Sequence, residues 1–132
     1  MPSRITLGSL LVATVMTIGT VAQTGADPAL KWAAINLRDT TMIAGAFISG
    51  PVVFVHDDAK MAAGEPCTTV HRFEAGRGAA EELVAFHCKP RWGKAPEQFT
   101  QAVTTTPDGL RVMTEYQFAG DKEAHAIPKM AH

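Results

Sequence analysis

His56, Asp57, Asp58, Met61, Cys67, His71, His87 and Cys88 fall within one stretch of the chain, which therefore offers imidazole, carboxylate, thioether and thiol groups close together in sequence. Imidazole, thiolate and thioether are the donors that copper and zinc prefer, so one chemistry open to this stretch is a metal site drawn from His56, Met61, His71 and His87. The stretch lacks the close repeated spacing of a CxxC or HExxH site. The competing chemistry is a disulfide, because Cys67 and Cys88 are the only two cysteines of the chain. A bridge between them closes a loop of about 20 residues, which the loop-entropy model values at about 3 kcal/mol, and it would remove both thiolates from any ligand set.

Catalytic readings of the same residues are weaker. Nucleophilic attack by Cys67 or Cys88, with His71 or His87 as base, needs a free and activated thiolate, which pairing of the cysteines abolishes. Asp57 and Asp58 are neighbours in a turn, where side chains diverge, and capping of a helical turn already accounts for one of them. Gly76-Arg77-Gly78 has no Lys-Ser/Thr ending and no strand-to-helix context, so it reads as a loop and not a phosphate cradle. The absence of CxxCH excludes the usual covalent haem attachment. No catalytic residue and no cofactor is predicted.

The elements that must carry these residues are mostly strands. Leu110, Val112, Thr114, Tyr116 and Phe118 alternate with Arg111, Met113, Glu115 and Gln117, the pattern of a half-buried strand. Residues 99–105 precede it across Thr106-Pro107-Asp108-Gly109, a turn in which Pro presets φ and Gly accepts the left-handed region. Residues 42–48 and 52–56 read as a second hairpin about Ser49-Gly50-Pro51, and residues 67–73 and 83–88 as a third about the long turn 74–80. A short strand near 123–127 follows Gly120-Asp121. Asp57 to Gly64 read as one capped helical turn. Residues 28–37 fit either a short helix begun by Asp27-Pro28 or, as we prefer, a first strand with Ile35 and Leu37 inward. In strand geometry Cys67, Thr69 and His71 share a face, whereas His87 and Cys88 point oppositely. If Cys88 faces Cys67, His71 and His87 cannot serve one ion together.

About six or seven short strands with turn residues between them predict an all-β fold: an antiparallel meander closed as a small sandwich or open barrel, preceded by an N-terminal hydrophobic helix. That helix is read from the uncharged run between Arg4 and Ala22. Residues 1–26 are expected to be a signal peptide or an uncleaved membrane anchor, and residues 27–132 a single β domain. Thr20-Val21-Ala22 and Thr24-Gly25-Ala26 offer small residues for cleavage, while a run of about 18 residues spans about 27 Å as a helix and suffices for an anchor. The predicted location is the periplasm or the periplasmic face of the inner membrane. A formal charge of −1, with bases and acids interspersed, excludes the electrostatic footprint of a nucleic-acid binder.

Ile35-Asn36-Leu37, Ile43-Ala44-Gly45, Ser49-Gly50-Pro51-Val52-Val53-Phe54, Tyr116-Gln117-Phe118-Ala119-Gly120-Asp121 and Ile127-Pro128 together resemble small exported β-domain proteins of environmental bacteria, over about residues 33–128. The resemblance implies a β meander in the cell envelope; that group has no assigned activity, so it implies no site residues. The expected function is a non-catalytic envelope domain that binds a protein partner through a sheet face or edge, as an accessory subunit in a membrane complex. The alternative is a periplasmic carrier of copper, zinc or a small ligand through His56, His71 or His87.

Overall fold

The computed structural model describes residues 30–131; the expected leader helix lies outside them. The elements are β1 (Leu30–Ile43), β2 (Ala46–Asp57), α1 (Asp58–Ala62), β3 (Thr68–Glu74), β4 (Gly78–Phe86), β5 (Lys89–Trp92), β6 (Thr100–Thr105), β7 (Arg111–Gln117) and β8 (Glu123–Ala126). They form one mixed sheet in the order β4-β3-β2-β1-β7-β8-β5, with β6 on the other side of β7. The expected β class holds, but the meander is not purely antiparallel. β1 runs parallel to β7 where Thr41 and Met42 meet Arg111 and Val112. None of the described helices is long and apolar enough to cross a membrane.

Residues 30–37 do form a strand. The first hairpin, however, turns at Ala44-Gly45 and not at Ser49-Gly50-Pro51. Ala44 and Gly45 have φ of 50° and 89°, the paired positive angles of a two-residue hairpin turn. Gly50 instead lies inside β2 opposite Leu37, where β1 carries a register shift between Leu37 and Thr41, and Arg72 donates to the carbonyls of Ser49 and Pro51 beside it. The turn at Thr106 to Gly109 falls where its residues predict it, whereas the expected long turn over 74–80 is shorter, because β4 already begins at Gly78. The helical turn falls where predicted: Asp57 caps α1, its Oδ1 accepting from the amides of Ala59 and Lys60 at 2.9 and 3.4 Å. β5 was not predicted, because Pro90 and a fully exposed run of four residues carry no strand signal; Pro is tolerated there since β5 is an edge.

Apolar side chains of alternate positions fill the concave face: Leu37, Ile48, Val52, Phe54, Val70, Phe86, Tyr116 and Phe118 are all buried. The predicted alternation of β7 breaks at Thr114. Ala102 and Val103 of β6 face Glu115 and Met113, so Thr114 is a bulge and Met113, not Val112, is buried. β4 and β5 stand at opposite ends of the strand order, yet only His87 and Cys88 separate them in sequence. The expected closure is not seen, since β4 and β5 do not pair, but the short link brings the end of β4 and the start of β5 together, and Cys88 lies at that seam.

Candidate metal centre

Four strand ends deliver side chains to the seam. Along β2 the inward alternation Val52, Phe54 ends on His56, which is 1 % exposed. Thr68 of β3 pairs with His56 and with Phe86 of β4, so Cys67, just before β3, and Cys88, just after β4, come to the same end of the sheet. The amide of Asp57 donates to the Cys67 carbonyl at 2.9 Å and holds that end together. From across the curl, β8 contributes His125, which is fully buried. Tyr116 is its cross-strand partner, and the two rings stack at 4.9 Å with 25° between their planes. The His56 and His125 ring centroids are 4.2 Å apart.

One donor atom each from His56, Cys88 and His125 lies within 4.8 Å of the others. The Cys88 sulfur is 3.5 Å from His125 Nδ1 and 2.7 Å from the Cys67 sulfur, to which it is not bonded. The Cys88 amide donates to the Cys67 sulfur at 3.3 Å, an arrangement that stabilises a thiolate. An Asp58 oxygen lies 3.2 Å from His56 Nδ1, and Nε2 on the other side of the ring is buried in the cluster. A carboxylate behind a histidine is the usual support for a metal-binding imidazole.

Two features mark the cluster as chemically unfinished. The Nε2 atoms of His56 and His125 are both buried without a hydrogen-bond partner. Each such orphan costs about 1–3 kcal/mol, and their coincidence in one cluster of soft donors is what a bound cation would relieve. The sulfurs also polarise one another. Hydrogen bonding from Cys88, aided by His56, draws the Cys67 thiol well below its ordinary pKa, while the same contact and burial push Cys88 up. Burial holds His125 down at about 4, so the ring is neutral and able to ligate near neutral pH.

The structure divides the predicted candidates. His56 belongs to the centre. His71 does not: Cys67 precedes the regular alternation of β3, whose inward residues are Thr68 and Val70, so His71 faces outward and bonds Thr69 and the Ala80 carbonyl. His87 is exposed and opposite Cys88, as strand geometry requires. Met61 packs against the apolar core from α1. His125 was missed, although a hairpin centred on Gly120-Asp121 places position 125 opposite position 116, on the face of Tyr116. A second group, Asp121, Glu123 and His125, also gathers donor atoms within 4.8 Å. Both Asp121 oxygens are already engaged, by Lys31 at 2.6 Å and by the Glu123 amide at 3.0 Å. Burial draws the Asp121 carboxyl upward, but those two partners outweigh it and hold it below its usual value. Compared with known proteins, the chain matches no protein family, no curated protein and no solved structure.

Proposed function

We propose that this chain is an exported domain that carries a soft transition-metal ion in a buried centre made by His56, Cys67, Cys88 and His125. The observation that carries the reading is the pair of unpartnered, fully buried imidazole nitrogens set against two adjacent sulfurs. Charge narrows the ion. Zinc(II) with both thiolates and two neutral imidazoles is a neutral unit, and so is copper(I) with the Cys88 thiolate and the two imidazoles. Either is acceptable in a dry interior, where an uncompensated charge is not. Donors at ordinary metal–ligand lengths lie roughly 3.3–3.8 Å apart on a tetrahedral centre, so binding would spread the sulfurs by about 1 Å and draw the imidazoles in.

The test is titration of the reduced protein with cobalt(II), zinc(II) and copper(I). One ion per chain is expected, with tetrahedral cobalt bands and sulfur-to-cobalt charge transfer. His125→Gln is expected to weaken binding at least about 10-fold, the loss of a ligand exceeding the effect of a support residue. Absence of stoichiometric metal in the reduced wild-type protein would refute the reading.

A second reading, an accessory subunit that binds a protein partner in an envelope complex, draws on a different feature. β1 pairs with β7 at Thr41 and Met42, and among the described residues nothing pairs with that edge of β1 over residues 30–40. Beside that edge lies a groove of about 700 Å³ walled by Trp32, Ile35, Phe73, Phe99 and Phe118. An extended segment of a partner would pair with the edge and seat apolar side chains in the groove. Sizing of gently solubilised envelopes tests it, since migration at the mass of the single chain counts against a complex.

A further inference from the structure

The centre contains its own means of being switched off. Resting on the metal-centre reading, we infer that ion binding is gated by the redox state of Cys67 and Cys88: the dithiol holds the ion and the disulfide excludes it. These are the only cysteines of the chain, so no other thiol can substitute for either or pair with it internally. Their sulfurs, 2.7 Å apart, lie between the roughly 2.05 Å of a covalent bond and the roughly 3.8 Å expected for two thiolates on one tetrahedral ion. Both end states are therefore within a small movement of one arrangement. Neither requires the strands to re-pair. Oxidation leaves His56 and His125 as the whole donor set, and two imidazoles without a thiolate do not make a closed soft-metal site.

The geometry also assigns the order of events. Cys88 is 9 % exposed and Cys67 is 3 % exposed, and Cys88 stands at the seam between the exposed residues His87 and Lys89. A dithiol reductant, small or protein-borne, would attack the Cys88 sulfur through its thiolate. A bond forms between the reductant and Cys88, the Cys67–Cys88 bond breaks, and Cys67 leaves as a thiolate beside His56. The reductant's second thiolate then displaces Cys88 and closes the reductant's own disulfide. Two electrons and two protons pass from reductant to protein in all. A divalent ion next enters, and the two thiol protons are released to solvent as it binds. In the reverse direction a disulfide of the same chemical class takes up the two electrons, and the ion departs.

The experiment uses the full chain in two forms, one oxidised with a small disulfide and one reduced with dithiothreitol, both desalted without oxygen. Each is exposed to excess zinc, desalted again, and measured for bound metal and for thiols under denaturing conditions. The reduced form is expected to hold one zinc and two titratable thiols, the oxidised form neither, and reduction of the oxidised sample is expected to restore both. Stoichiometric zinc on the oxidised form would overturn the gate while leaving the metal centre standing. Oxidant that leaves two free thiols in the chain would overturn the gate too. Zinc on neither form would overturn the metal reading and the gate together.

Discussion

Tyr116→Ala is expected to lower the unfolding free energy by about 3–5 kcal/mol, the usual cost of deleting a large buried aromatic side chain. The ring is 1 % exposed and touches Phe54, Phe99 and Phe118, at centroid distances of 5.1, 6.0 and 5.5 Å, besides His125. Those partners come from β2, the segment before β6, the residue just after β7, and β8, so no single neighbour is able to move into the space. Tyr116→Phe separates the ring from its hydroxyl. It leaves the buried Thr68 hydroxyl without its Tyr116 partner and is expected to cost about 1–3 kcal/mol. Urea midpoints of the three proteins check both values; a loss under about 1 kcal/mol for the alanine variant would show that Tyr116 is not the keystone described. On the proposed metal reading, the alanine variant should also bind zinc more weakly, since the wall that orients His125 is gone.

The metal-free protein is expected to lose about 3 kcal/mol of stability between pH 6.5 and pH 4 through His125 alone. Burial depresses the folded-state value of this ring to about 4 from an ordinary 6.5, so the unfolded chain takes up the proton first. Stability is full above about 6.5 and falls as the pH drops through the window; the loss is complete below about 4. The groups around the ring are His56 on β2, the two sulfurs, Asp121 just before β8, Glu123 at its start, and Lys31 on β1. Glu123, raised by burial, works in the opposite sense, whereas Glu115, held low by Arg91, adds its own loss only at lower pH. Comparing wild type with His125→Gln isolates the histidine. Parallel stability curves across the window would refute the assignment; convergence of the two toward acid is the expected result.

Much of the local structure could be read from residue types. The Asp57 cap and the Thr106 to Gly109 turn are each set by neighbours a few positions away, and the structure reproduces them. What failed were features decided at long range. The parallel contact of β1 with β7 and the edge strand β5 have no local signature, and the bulge at Thr114 is visible only against β6. The candidate site shows the same division. Cys67, Cys88 and His56 were legible as a group because one sequence stretch holds them, whereas His125 joins them only through the curl of the sheet. His71 was misassigned because Cys67 and Thr68 are both buried, which no strict alternation allows.

The parallel contact sets the order in which the molecule can come together. Thr41 and Arg111 are separated by most of the domain, so their meeting raises the contact order and must follow closure of a long loop, after the hairpins have had time to form. Until β1 finds β7, nothing carries β8 over the concave face toward β2. Cys67, Cys88 and His56 are therefore neighbours along one stretch of chain before His125 can join them, and the arrival of that last ring is set by topology.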